Sequence, residues 1–284
     1  MQQKLKSRTF EKIIQADLTS SELNFIVYLS HFQDDTGMIK GVYYKDVCEA
    51  IKISYQTFYD VLRDLSDKGI ISYKKKNYDD WDITILDNDF SYANAVKEGY
   101  ISMGYDIFSD PEFFSMKAPE KLLAIHIMRA SAGGERRYCI GVENFYEKFR
   151  SVLGVTKRVL QGYMRSLRKF FSIGIKDRKI WVTVRKRSKK NVSMKDKEAF
   201  SWHNSKVLFR RNRIKILEDK KAFDGIVELI SQYAEQYKDK SAEYVMNAAK
   251  QSLQLRNAGI KSEYKWNRKI IPRYVHYLLK EYLK

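Results

Sequence analysis

Two cysteines in 284 residues, Cys48 and Cys139, belong to no C-x-x-C or other paired spacing. That excludes a disulfide framework and a cysteine metal clip, and predicts two reduced, mostly buried thiols of a cytosolic protein. Only three prolines and 13 glycines are present, too few for a loop-rich all-β chain, so helices are favoured. No run approaches the ~18 consecutive apolar residues of a membrane span, and MQQKLKSRTFEK leads into no apolar stretch of signal-peptide length. The expectation is no membrane partner and a cytoplasmic location. The four histidines, His31, His126, His203 and His276, pair with no cysteine or carboxylate at metal spacing, and no H-x-H or G-x-x-x-x-G-K-[ST] element occurs. His126-x-x-Arg129 matches a fragment of a tyrosine-recombinase signature but has no upstream Arg or nucleophilic Tyr to go with it. Asp79-Asp80-x-Asp82 reads as a solvated acidic hairpin tip. The chain is therefore expected to have no catalytic residues, no metal and no cofactor, and not to be an enzyme.

What the chain has is positive charge in one place. Residues 1–100 carry 13 Lys and Arg against 16 Asp and Glu, whereas residues 151–200 carry 15 against 3, within a net charge of +18. A basic excess confined to one window makes a local field that a polyanion feels.

Helix signals repeat along the chain. Thr19-Ser20-Ser21-Glu22 has the form of a capping box, followed by Leu23, Ile26, Val27 and Leu29, and Asp34-Asp35-Thr36-Gly37 ends that helix. A second helix covers about Tyr44 to Ile51. Ser54 caps a third, with Phe58, Val61, Leu62 and Leu65 at i, i+3, i+4, i+7, and Gly69 sits at its C-terminal end. Ile70 to Lys76 and Trp81 to Leu86 read as a hairpin. The order then returns. Pro119 to Ser131 is a helix with Leu122, Leu123, Ile125 and Ile127, and Gly133-Gly134 breaks it. Val142 to Leu153 follows with Phe145, Phe149 and Val152 inward. Thr156 caps a helix with Leu160, Tyr163, Met164 and Leu167. Ile173-Gly174-Ile175 and Ile180 to Val184 flank a Lys176-Asp177-Arg178-Lys179 turn. An offset of 102 superposes Ser54 on Thr156 and Leu65 on Leu167, the mark of an internal duplication.

Three helices and a hairpin is the winged-helix order. The predicted fold is mainly α with small β wings: winged-helix domains over 1–95 and 96–187, a basic linker over 188–205, and an all-helical C-terminal region over 206–284. In that region Phe223, Ile226, Val227, Ile230 and Ala234 form one stripe. Ser241 caps a helix ending before Gly259, Pro272 opens another, and Val275, Leu278, Leu279 and Tyr282 form its stripe.

The third helix of such a module enters the DNA major groove. In the second module it presents Lys157, Arg158, Gln161, Arg165 and Arg168 outward after the Thr156 cap. Arg and Gln match guanine and adenine edges by paired hydrogen bonds. Lys176, Arg178 and Lys179 in the wing, and Arg185, Lys186 and Arg187 after it, suit phosphate or minor-groove contact. The first module offers Tyr55, Gln56, Tyr59, Arg63, Lys74, Lys75 and Lys76, but Asp60, Asp64, Asp67, Asp79, Asp80 and Asp82 surround them, so protein contact is as well supported as DNA contact there. RNA is disfavoured, because the aromatics follow helix-core periodicity and not an exposed sheet platform.

Lys121-Leu122-Leu123-Ala124-Ile125, the helices Val142 to Leu153 and Thr156 to Phe171, and Arg178-Lys179-Ile180-Trp181-Val182 carry a resemblance to the iteron-binding plasmid replication initiators, whose core is two winged-helix domains in tandem. The resemblance covers about residues 10–187, and the helical tail departs from it. It implies an initiator of a plasmid or mobile element in the bacterial cytoplasm or nucleoid. The second domain would read double-stranded origin repeats through Arg158, Gln161, Arg165 and Arg168. The first would assist on the backbone or form a dimer that represses the initiator's own promoter. Expected partners are double-stranded DNA and a second copy or the replication or transcription machinery. A tandem winged-helix transcription regulator and a DNA-shaping accessory protein for recombination or transfer need the same groove chemistry and stay open.

Overall fold

A computed structural model describes residues 3–77, 80–104, 106–131, 137–185, 194–212, 214, 216, 219–237, 240–262, 265 and 267–283. The chain divides into two compact units, Met1–Ser193, which mixes helices with small antiparallel sheets, and Met194–Lys284, whose regular elements among the described residues are helices.

The first unit opens with β1 (Lys4–Lys6) and α1 (Ser7–Gln15), which precede a series of elements that occurs twice. The first series is α2 (Ser20–Phe32), β2 (Met38–Tyr43), α3 (Tyr44–Ile51), α4 (Tyr55–Asp67), β3 (Ile71–Asn77) and β4 (Asp80–Ile85). After β5 (Tyr100–Ser102) and α5 (Pro111–Ser115) comes the second: α6 (Ala118–Ala130), β6 (Arg137–Gly141), α7 (Val142–Leu153), α8 (Lys157–Ser166), β7 (Phe171–Lys176) and β8 (Lys179–Val184). Each hairpin is completed by the strand before it, giving antiparallel orders β2-β4-β3 and β6-β8-β7. The third strands, together with β1, β5, α1 and α5, carry no clear period in the sequence. β2 also contains a register shift between Ile39 and Val42, where Gly41 takes a positive φ and its N–H donates to the Asp82 carboxylate at 3.0 Å.

The repeat extends to single residues. α2 and α6 differ by 98 in numbering, whereas α4 and α8 differ by 102, because α7 has 12 residues where α3 has 8. The insertion is about one α-helical turn. Lys52 and Gly154, both left-handed, end α3 and α7. Two residues later, Ser54 and Thr156 cap α4 and α8, accepting from Thr57 N–H at 3.0 Å and Val159 N–H at 3.4 Å. The Thr19–Glu22 capping box is present, and the buried Glu22 also pairs with Lys68 at 2.7 Å. Val152 is exposed, not inward, since α7 rolls only Phe145 and Phe149 into the core.

One hydrophobic core runs through both series, from Phe10, Phe25 and Phe58 to Phe145, Phe149 and Phe171. β1 pairs with β5, so the N-terminal strand is held by residues 100–102. At the seam between the series the Ser20 hydroxyl donates to Met116 O at 2.9 Å and Asn24 Nδ2 to Phe114 O at 3.0 Å. The fully buried Lys121 ammonium donates to the Ser20 hydroxyl and to Phe114 O at 2.9 Å.

The second unit comprises α9 (Met194–Arg211), α10 (Lys220–Tyr237), α11 (Ser241–Arg256) and α12 (Pro272–Tyr282) around Phe209, Phe223, Ile226, Val245, Val275 and Leu279. Of the expected linker over 188–205, residues 188–193 lie outside the described residues, and from Met194 the chain is helical, which corrects the linker reading of 194–205. α9 buries His203 and Ser205, polar positions that an apolar period does not count. Ala234 and Tyr282 are exposed and leave the expected stripes, and Leu229 joins the first. Lys240, not Ser241, occupies the cap of α11.

Burial lowers the Lys121 ammonium from the ordinary lysine value to about 8. Between there and the unfolded value near ~10.4 the unfolded chain holds more protons, so the stability this group contributes rises with pH across that window. We expect the stability of the wild type relative to Lys121→Met to improve by up to about 3 kcal/mol between pH 7 and pH 10.5. Urea denaturation of both proteins measures it, and a pH-independent difference would refute a desolvated ammonium.

Candidate nucleic-acid interface

α8 buries Leu160 and Met164, and Leu167 continues that face in a 3-10 turn over Leu167–Lys169. Lys157, Arg158, Gln161, Arg165 and Arg168 are all exposed on the other side. Arg168 stands in the 3-10 turn, not in the α-helix, and Tyr163 is half-buried. Among the described residues, no carboxylate forms an ion pair with Lys157, Arg158, Arg165 or Arg168, nor with Lys176, Arg178 or Lys179. Lys157 Nζ lies 5.0 Å from the centre of the Tyr146 ring. Thr156 is the helix cap. Arg185 is exposed and its Nε donates to Phe171 O at 3.3 Å. Lys186 and Arg187 lie outside the described residues.

The β7–β8 hairpin stands beside this helix face. Its inner side, Phe171, Ile173, Val182 and Val184, packs into the core. Toward the tip Ile175 emerges, 68% exposed. Ile173, Ile175, Ile180 and Met164 floor an open cleft of about 220 Å³, with Gln161, Arg165 and Arg168 along its rim. In the sequence these apolar positions mark only a helix stripe and two strands; the pairing of Ile175 with Ile180 on the α8 side of the hairpin brings them to the site. The turn is Asp177-Arg178, both at positive φ (50° and 56°) between the paired Lys176 and Lys179. That is the two-residue geometry whose twist matches the strands, and it usually takes Asn-Gly or Asp-Gly.

The corresponding helix of the first series differs in electrostatics. Arg63 pairs with Asp60 at 3.1 Å and Asp64 at 3.6 Å, and Gln56 Nε2 donates to Asp60 at 3.1 Å. The Tyr55 and Tyr59 hydroxyls bond each other at 3.0 Å. Lys76 pairs with Asp82 at 3.7 Å, Lys75 lies over Trp81 at 5.9 Å, and Lys74 is exposed. Asp80 is buried and Asp82 is occupied by Gly41 and Lys76, so neither forms a solvated acidic tip. Asp79 lies outside the described residues.

Other expectations need correction. Cys139 is exposed and Cys48 only half-buried. Tyr73 and Trp181 are 42% and 40% exposed on sheets, so aromatics do lie outside helix-core positions. His126 packs its ring on Phe149 at 5.0 Å, and burial beside Lys148 and Arg129 lowers it to about 4, while Arg129 pairs with Glu11 at 2.9 Å. That is a core histidine with an adjacent surface pair. Among the described residues no group of three or more His, Cys, Asp or Glu could hold a metal ion, and no helix is long and apolar enough to cross a membrane.

Comparison with protein-family models, with curated proteins and with solved structures yields no match to this chain.

Holding a non-glycine residue in the left-handed region costs on the order of 1 kcal/mol. Arg178→Gly is expected to raise stability by about 1 kcal/mol, read as a higher denaturation midpoint. A lowered midpoint would mean that the arginine side chain supports the turn.

Proposed function

We propose that this protein is a sequence-specific double-stranded DNA-binding protein with two winged-helix modules in tandem, of which the second reads the bases. The observation that carries this reading is the row Arg158, Gln161, Arg165 and Arg168. Among the described residues no carboxylate pairs with these side chains, they are exposed, and a basic hairpin flanks them. In a helix that lies in the major groove, each guanidinium can pair with guanine O6 and N7, and Gln161 with adenine N6 and N7. The apolar floor at Ile175 offers a thymine methyl a dry contact. Lys176, Arg178 and Lys179 reach phosphates and set the register. The first module's α4 spends its polar groups on itself, which makes it a helper on the backbone or a surface for a protein partner.

The reading extends to a plasmid or mobile-element replication initiator acting on origin repeats, on the resemblance of residues 10–187. It is a reading without enzymatic chemistry, in which the chain recruits or opens and does not cut. Footprinting on the DNA neighbouring its gene tests it: protection of direct repeats beside an AT-rich stretch supports initiation, and protection of a lone promoter palindrome makes the protein a transcription regulator.

Duplex affinity should fall steeply with salt, with a log–log slope near −5 for about six phosphate contacts. Lys157→Glu with Arg158→Glu should lower affinity about a hundredfold or more, and Arg63→Glu by less than about threefold. A titration series over salt with these variants decides it. A flat salt response, or a larger loss from Arg63→Glu, would sink the assignment of the reading module.

The second unit has its own core and leaves Leu255, Ile271, Tyr277 and Tyr282 exposed at 40–62%. Aromatic and apolar surface of this kind suits protein contact, here with a second copy on DNA. A chain ending at Ser193 should keep its sequence preference and lose higher-order assembly on a multi-site duplex, measured as mass by light scattering. Equal assembly by the shortened chain would leave the unit no part in association.

A further inference from the structure

The second sheet has an outer face of which the duplex reading uses only Lys176 and Lys179, at the wing tip. Strand alternation sends Phe171, Ile173, Ile180, Val182 and Val184 into the core, so the opposite face of β6-β8-β7 turns away from α7 and α8. Register arranges that outer face in three rows. Arg137, Thr183 and Ser172 form the first. Cys139, Trp181 and Gly174 form the second, and Gly141, Lys179 and Lys176 the third. Trp181 therefore stands on the central strand, 40% exposed, with a thiol on one side and a bare backbone on the other. A Cβ placed on Gly174 would meet nothing within 4 Å, so the space beside the ring is open. Rows on one face of a strand lie about 7 Å apart. Cations thus flank the indole along the strand in both directions. Arg137, Lys176 and Lys179 are exposed, and the grid contains no carboxylate; Asp177, in the turn, is the hairpin's one acid.

We propose that this face is a second nucleic-acid site that takes single-stranded DNA or RNA, with an unpaired base stacked on Trp181 and its phosphates between Arg137 and the Lys176–Lys179 pair. A duplex hides the faces of its bases inside the helix, so a flat aromatic surface gains from a base only when the strand is open. An acid-free set of cations around the ring selects a polyanion over an ordinary protein surface. Trp181 and Arg137 lie on the opposite side of the sheet from α8, so the base-stacking surface is separate from the duplex face and the two share only the wing lysines Lys176 and Lys179.

The test uses the full chain, a labelled oligothymidylate and a labelled duplex, both read by fluorescence anisotropy. Trp181→Ala should weaken oligothymidylate binding about tenfold or more, and Trp181→Phe less, since a smaller ring still stacks. Gly174→Val, which fills the open space without touching the core, should weaken it as well. All three should leave duplex affinity within about twofold. Lys157→Glu with Arg158→Glu should do the reverse. Single-strand affinity that is indifferent to Trp181→Ala, or that disappears with the α8 charge reversal, overturns the site. Binding of an acidic peptide in place of the oligonucleotide also overturns it, and makes the face a protein-docking surface. Loss of duplex binding in the wild type with single-strand binding retained would remove the duplex reading and leave this one standing.

Discussion

Among the described residues, the ammonium buried where the two repeated series meet has no carboxylate in ion pair with it, and the polar bonds that join the series converge around it. Lys121 is wholly buried and satisfied only by a serine hydroxyl and main-chain carbonyl oxygen. Burying a cation this way is costly unless every donor finds an acceptor. The seam supplies those acceptors from α2 and α5 together, and Ser20 and Asn24 add further bonds to Met116 and Phe114. Such a network has one good geometry, so it fixes orientation better than apolar packing would. α4 and α8 therefore belong to one compact unit, joined by this polar seam as well as by a shared apolar core.

The two halves share a frame and differ in charge. Caps, left-handed helix ends and strand order are the same in both, down to the Ser54 and Thr156 hydroxyls. The difference lies in what surrounds the outward residues of the third helix. Asp60 and Asp64 neutralise Arg63, while the equivalent stretch of α8 has no acid to do so. Exposed pairs of this kind add little stability. Their effect is on the surface potential that each helix presents.

Much of this was legible without coordinates. Hydrogen-bonding caps mark α2, α4 and α8, and i, i+3, i+4, i+7 stripes mark α4 and α8, because a helix must satisfy its end amides and bury one face. The short strands were not legible. β1 and β5 have three residues each, and β2 is broken by Gly41, so none shows the alternation that betrays a strand. α9 escaped because it buries polar side chains. The outward residues of α8 could be named from spacing alone, whereas the cleft at Ile175 and the setting of Trp181 depend on which face of a hairpin meets the core. A one-residue change of register reverses that face.

The extra turn in α7 has a consequence for how such a module can change. Four residues advance a helix by about 6 Å and rotate it by about 40° beyond a full circle. α7 is therefore longer than α3 while still releasing the chain through the same left-handed residue, two positions before the cap of the next helix. Length is added in whole-turn increments, and the helix that follows keeps its start signal intact. An insertion of two residues at the same place would leave the exit on the far side of α7, with the cap and its guanidinium row turned into the core.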